Sequence, residues 1–248
     1  LKDNMWGYNR HTDQTVNIYS AFLQNEWKND RWGILIGGRL DKHNMVDNVI
    51  FSPRANLRFN PTQNINLRLS YSSGFRAPQA FDEDMHIENV GGTVAMIERA
   101  KDLKEEKSQS FSVSADMYHR FGAFQTNLLI EGFYTRLTDV FVLGKPYDRG
   151  DGILVKTRSN GPGAKVMGLT LEGKVAYLSI LQIQAGLTLQ RSRYDEPHKW
   201  HDDAPAEKKI FRTPDTYGYF TATCTPVKPL SIALSGTYTG RMLVQRMD

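Results

Sequence analysis

With 248 residues, 40% hydrophobic and 11% aromatic, and with 31 basic against 27 acidic side chains, the chain is long enough for one large all-β domain or two smaller ones. Its single cysteine, Cys224, excludes an intrachain disulfide framework and a cysteine-rich metal site, and its net charge of +4 is scattered, without the aromatic-studded basic stripe of a nucleic-acid reader. No apolar run approaches the ~18 residues of a spanning helix. Strands are then the only route across a membrane, because barrel strands keep half their residues polar.

Period-2 alternation predicts about ten long strands, roughly 10–15 residues each against the ~5–6 usual in soluble sheets. They come in pairs. "QTVNIYSAFLQNEW" and "WGILIGGRLD" join at Asn29-Asp30, and "SPRANLRF" and "QNINLRLSYSS" join through Asn60-Pro61-Thr62. "SQSFSVSADMYHRF" and "AFQTNLLIEGFYTRL" join at Gly122, "KVMGLTLEGKVAYL" and "LQIQAGLTLQRSRY" near Ser179, and "DTYGYFTATCTP" and "LSIALSGTYTG" at Val227-Lys228-Pro229. Nearly every joint carries Asn, Asp, Gly or Pro, which supply turn dihedrals at little cost.

Between the pairs lie longer connections, 42–51, 74–107, 138–163 and 194–213. Short and long links alternate strictly. A soluble sandwich with aromatics under its loops has no reason for that, since both its ends meet the same solvent, whereas a membrane barrel has short turns on one side and long loops on the other. The faces agree: Met167, Leu169, Leu171, Val175 and Tyr177 alternate with Gly168, Thr170, Glu172 and Lys174, and Arg54, Arg58 and Arg68 fall on the wet face. A dry core does not accept such charges unpaired, and a hydrated lumen does. Aromatics gather at strand ends, Trp27, Trp32, Phe59, Phe121, Phe124 and Tyr177 by the short turns and Tyr71, Tyr134, Tyr194 and Tyr238 by the long loops, as interface girdles require. Ten such strands leave two unpaired edges, so a closed barrel needs further strands. The abrupt start at Leu1 and end at Asp248 read as a piece of something longer.

"AFLQNEWKNDRWGILIGGRLDKHN" resembles a barrel segment of TonB-dependent outer-membrane receptors, matched at Gln24, Asn25, Trp27, Gly37, Gly38, Arg39 and Asp41. "SPRANLRFNPTQNINLRLSYSSGFRAP" resembles the segment that follows it, matched at Ser52, Pro53, Pro61, Tyr71, Ser72, Gly74, Phe75, Arg76, Ala77 and Pro78, and "QAFDEDMHIENVGG" looks most like receptors of Bacteroidetes-type bacteria. The resemblance implies an all-β, antiparallel transmembrane β-barrel, with residues 1–248 one partial barrel domain that supplies about ten of 22 strands, the plug domain and closing strands lying outside it. It implies a bacterial outer-membrane receptor that imports a scarce nutrient, a ferric siderophore or other metal chelate first among the candidates, with energy delivered by the TonB complex through the plug. Its expected partners are then the TonB complex, the small-molecule nutrient, and outer-membrane lipid with lipopolysaccharide; no nucleic acid and no cofactor are expected. A passive channel, an adhesin or a barrel enzyme are the alternatives.

For catalysis the sequence offers no Gly-x-Ser-x-Gly elbow, Walker loop, His-Glu-x-x-His or cysteine pair, so no enzyme is expected. His119 beside serine-rich strands is the one candidate partner for a hydroxyl nucleophile, and an interfacial histidine near a short turn explains it as well. Two loop clusters carry ligand-type side chains: Asp82, Glu83, Asp84, His86 and Glu88, and Asp195, Glu196, His198, His201, Asp202 and Asp203. Oxygen and imidazole donors at such spacing suit a divalent metal or a metal chelate, and equally a solvated acidic loop. Arg54, Arg58, Arg68 and Lys174 are expected to contact the plug or to attract anionic chelates into the lumen, with Arg76, His86, His198 and His201 as loop-side ligand or plug contacts.

Overall fold

The computed structural model describes residues 2–5, 10–78, 88–90, 93–150, 152–199 and 205–244. The chain opens on a small antiparallel hairpin of β1 (Lys2–Met5) and β2 (Arg10–Asp13). Four long strands follow, β3 (Ile18–Lys28), β4 (Trp32–His43), β5 (Ile50–Thr62) and β6 (Ile65–Arg76). Two short ones, β7 (Glu88–Val90) and β8 (Thr93–Arg99), occupy the next connection. Long strands return as β9 (Glu106–Phe121) and β10 (Phe124–Thr138), and β11 (Phe141–Leu143), β12 (Tyr147–Asp148) and β13 (Leu154–Asn160) fill the connection after them. The chain continues through β14 (Ala164–Tyr177), β15 (Leu181–His198), the short β16 (Glu207–Lys209), β17 (Thr216–Val227) and β18 (Leu230–Thr239).

The ten long strands pair in one antiparallel sheet, ordered β18-β17-β15-β14-β10-β9-β6-β5-β4-β3, with β16 added beside the outer end of β15. Neighbours in sequence are neighbours in space. Each long strand has 10–18 residues, enough for the ~9–11 that cross a bilayer at a tilt. The short turns lie on one side of this wall and the long connections on the other. Turn chemistry is local: the Asn29 side chain accepts from the amides of Arg31 and Trp32 at 2.9 and 2.7 Å, and Gly122 takes φ +57°, a left-handed conformation that costs glycine nothing.

Register assigns the faces. Ile34, Leu57, Leu69, Val113 and Gly132 stand opposite one another across β4, β5, β6, β9 and β10, and Leu169, Leu189 and Thr216 continue the row. This face is apolar and open; Leu69 is 51% and Val113 58% exposed. Trp27, Trp32, Phe59, Phe121, Phe124 and Tyr177 all lie on it beside the short turns, with Trp32 stacked on Phe59 at 4.2 Å. Tyr71, Phe111, Tyr134 and Tyr238 border its other end. An apolar band between aromatic borders, backed by a polar face, is the wall of a transmembrane barrel. Among the described residues the outermost strands β3 and β18 each have a single neighbour, so the wall is part of a barrel.

Two expectations change. Tyr194 does not join the loop-side girdle: it sits opposite Ala164 on the polar face and packs, 7% exposed, with Val140, Leu137 and Ile210. The connections 74–107 and 138–163 are not plain loops either. They fold together into a second sheet, ordered β11-β13-β8-β7 with β12 beside β13, in which β8 and β13 run parallel. Met96 and Val155 are fully buried there, directly opposite each other.

Candidate functional site

The polar face of the wall is the candidate site. Ser108, Ser110, Ser112 and Ser114 of β9 project to it, opposite Ser70 and Ser72 of β6 and Glu131, Phe133 and Thr135 of β10. Hydroxyl pairs tie neighbouring strands across it, Ser110 to Thr135 and Thr170 to Thr188, each at 3.0 Å. Thr188 and Ser114 are nearly buried although no core covers them, because adjacent lumen side chains shield one another.

Arg54, Arg58, Arg68 and Lys174 all stand on this face, but as two groups. Arg58 of β5 is registered directly opposite Arg68 of β6, and Arg54 lies two repeats of the pleat further toward the loops, opposite Ser72 and Gly37. Arg68 donates through Nε to the Asn66 side chain at 2.9 Å, while the Arg58 guanidinium lies over Gly33, where an added Cβ would come within 3.2 Å of Nε. Like charges directly opposite on a sheet repel, so this arginine group concentrates positive potential in the lumen. Arg54 also lines a 540 Å³ cavity with Gln24, Arg39, Ser52 and Ser72. Lys174 is four strands from Arg58, opposite Asn127 and Gln184. Its neighbourhood is a separate network in which the Gln184 amide donates to Glu172 and to the Tyr219 hydroxyl, both at 2.8 Å.

Two polar nodes of the lumen are not among the predicted site residues. Asp116, between the arginine group and Lys174, accepts from the Tyr118 hydroxyl at 2.9 Å and from the Asn127 amide. Asp41 is fully buried at the loop end, where Ser20 Oγ donates to it at 2.5 Å and Arg39 Nε at 2.7 Å. Both fall at polar positions of alternating strands, a signal that was present in the sequence. What sequence alone does not give is the cross-strand neighbour that makes each a node.

On the loop side, Arg76 ends β6 opposite Glu106 and lies over the Phe141 ring at 5.4 Å, while the Glu106 carboxylate accepts from the Phe141 amide at 2.9 Å. This joins the wall to the second sheet. His198 ends β15 opposite Glu207, past the apolar band, and burial lowers its pKa. His86 and His201 lie outside the described residues, with Asp82, Glu83, Asp84, Asp202 and Asp203. Among the described residues no three His, Cys, Asp or Glu side chains converge on a metal position. His119 lies on the apolar face near the short turn, its ring 4.0 Å from that of Phe121, which is the interfacial placement.

Comparison with known proteins agrees with this geometry. The family model described as "TonB dependent receptor-like, beta-barrel" matches residues 2–242. The siderophore receptor PirA from Acinetobacter baumannii superposes with a TM-score of 0.66 at 16% identity, covering 92% of this chain and 34% of that one. PirA from Pseudomonas aeruginosa gives 0.65 at 17%, covering 90% and 40%, and the FrpB iron transporter from Neisseria meningitidis gives 0.62 at 15%, covering 90% and 33%. The chain thus spans between a third and two fifths of the length of these structures. No curated relative matches the sequence. The family is one of transport receptors rather than enzymes. With its ten-stranded two-faced wall and a family match over nearly its whole length, the chain belongs to the TonB-dependent receptor β-barrel family.

Proposed function

We propose that this chain forms part of the barrel wall of a bacterial outer-membrane receptor that imports a scarce nutrient, a ferric siderophore or related metal chelate, when the TonB complex pulls on a plug domain held in the lumen. The observation that carries this reading is the pairing of a girdled apolar face with a polar face bearing Arg54, Arg58 and Arg68. Such a face attracts anionic chelates and also suits the carboxylates of a plug. The printed descriptions of PirA and FrpB as siderophore receptor and iron transporter support the ligand class.

The first test is uptake of labelled ferric siderophores by cells with and without the parent receptor under iron limitation. Uptake lost on deleting either the receptor or TonB is expected; uptake that persists without TonB overturns the energised-transport reading. Within it, we assign Arg68 to plug contact. Arg68→Ala in the full receptor is expected to loosen the plug, read as faster proteolysis of plug sites. Unchanged plug retention with weakened uptake would transfer Arg68 to the ligand.

A further inference from the structure

We propose that Asn160 pins the second sheet to the wall and that Asn160-Gly161 is a spontaneous deamidation site, silent while the sheet is folded, whose reaction releases the pin irreversibly. The inference stands on the second sheet itself and holds whatever nutrient the receptor carries.

The pin is a single side chain. Asn160 ends β13, where its carboxamide oxygen accepts from the Lys104 amide at 2.8 Å and its nitrogen donates to the carbonyls of Lys104 and Asp139 at 3.1 and 2.8 Å. Lys104 lies just before β9 and Asp139 just after β10, so these three bonds gather both connections where they leave the wall. Asp139 takes φ +54°, in the left-handed region that a side chain enters at a cost, and the bond from Asn160 holds its carbonyl there. The Phe141 amide bound to Glu106 at 2.9 Å and the Ala100 amide bound to the Arg158 carbonyl at 2.8 Å strengthen the same junction. A carboxamide both donates and accepts, and the junction uses both functions.

The next residue is constrained as well. A Cβ on Gly161 would stand 2.7 and 2.8 Å from the γ-methyls of Val142, itself buried, so the position takes no side chain. The result is the one Asn-Gly pair of the sequence, in which no side chain hinders attack by the glycine nitrogen on the preceding carboxamide. In that reaction the Gly161 backbone nitrogen bonds to Asn160 Cγ and gives up its proton, and the side-chain nitrogen leaves with it as ammonia, closing a cyclic imide. Water then opens either imide carbonyl and leaves an aspartate or an isoaspartate at position 160. Water is the sole co-reactant. The folded sheet holds the first step back, because the Gly161 amide donates to the Val140 carbonyl at 2.7 Å and the carboxamide is tied at both its oxygen and its nitrogen. Local opening of the sheet therefore sets the rate. The product does not restore the pin: a carboxylate has no donor for the Lys104 and Asp139 carbonyls and sets negative charge against both. An isoaspartate also lengthens the backbone where Asn160 pairs with Phe141 of β11. Deamidation thus frees the base of the sheet in one direction only.

The test uses the full receptor in detergent, incubated in warm neutral buffer and sampled by peptide mass spectrometry across Asn160-Gly161, with heat-modifiable gel mobility reporting that the barrel is folded. Conversion is expected to run at least about 10-fold more slowly in the folded receptor than in the same chain unfolded in urea. Met96→Ala empties the core of the second sheet and leaves the dipeptide intact, and is expected to speed conversion at least about 10-fold at unchanged barrel mobility. Equal rates in folded and unfolded chains, or a rate that Met96→Ala does not raise, overturn the silenced site; so does an unfolded chain that does not convert. Asn160→Asp supplies the product directly. Hydrogen exchange in β8 and β13 is then expected to rise about 10-fold or more while β9 and β10 keep their protection. Should that variant not give a folded barrel, Asn160→Ser, which removes the carboxamide without adding a charge, is read in the same way. Wild-type protection of β8 and β13 in the folded variant overturns the pin.

Discussion

The wall and the second sheet on its loop side bury their apolar residues in opposite ways. In the middle of the wall no described apolar side chain is buried, and Leu69 and Val113 stand more than half exposed. In the second sheet Met96 and Val155 have no exposure at all, and the other buried clusters, Val46 with Ile50 and Ala77, and Val140 with Ala164 and Tyr194, also lie at the loop end. The loop end is an ordinary protein core, whereas the wall borrows its apolar environment from the membrane. The same kind of substitution must therefore read out differently in the two regions.

The largest expected effect is in the small core. Met96→Ala removes a fully buried side chain from β8, for which about 2–5 kcal/mol is the usual cost. The loss is expected to stay local, raising hydrogen exchange of amides in β8 and β13 while wall amides keep their protection. An equal rise in β9 and β10 would mean that the two sheets open as one unit and that the contrast between them is wrong.

Next comes a test inside the wall. Val113→Arg puts a charge midway along β9 on the lipid-facing side, which costs about 2–4 kcal/mol near the bilayer midplane. Ser112→Arg places the same side chain one residue away on the lumen face, and is expected to leave folding in lipid vesicles unchanged. Urea unfolding of the receptor in vesicles separates them. Similar losses for both would show that the two faces do not meet different media.

That one-residue contrast is also why so much of the wall was legible. A strand's period of two turns the faces into odd and even positions, so the ten strands, both faces and the placement of Arg54, Arg58, Arg68 and Lys174 follow from the sequence. Tyr194 was misplaced against its own parity: Leu181 through Leu189 mark the odd positions of β15 as lipid-facing, and 194 is even. The second sheet was illegible for another reason. β8 and β13 pair in parallel across more than fifty residues, with no turn signal to announce the partnership, and a parallel pair needs a long crossover by its nature. The grouping of the site residues was hidden likewise, because which lumen side chains become neighbours depends on register between strands.

A smaller effect is expected at a close approach on the lumen face. Gly186 of β15 lies under the ring of Tyr219, whose Cε1 would be 2.5 Å from an added Cβ. Gly186→Ala must push the ring aside and disturb its hydrogen bond with Gln184, an overpacking cost of about 1–3 kcal/mol. Tyr219→Leu in the same chain is expected to recover most of that loss, by thermal unfolding in detergent. No recovery would place the strain in the backbone instead.

The smallest effect separates wall from lumen contents. Arg58 and Arg68 face each other with no carboxylate paired to either among the described residues, so Arg58→Gln should stabilise an otherwise unchanged barrel by about 0.2–1 kcal/mol. Salt screens such a pair, so wild-type stability is expected to rise with ionic strength while the variant's stays flat. The same substitution has the opposite sign if a plug carboxylate sits against Arg58, because removing the cation then leaves that carboxylate unpaired. Measuring Arg58→Gln in the receptor with and without its plug gives both signs in one experiment. A gain without the plug and a loss with it identifies the arginine group as a plug contact. A gain in both leaves the group facing an open lumen, free to attract an anionic ligand.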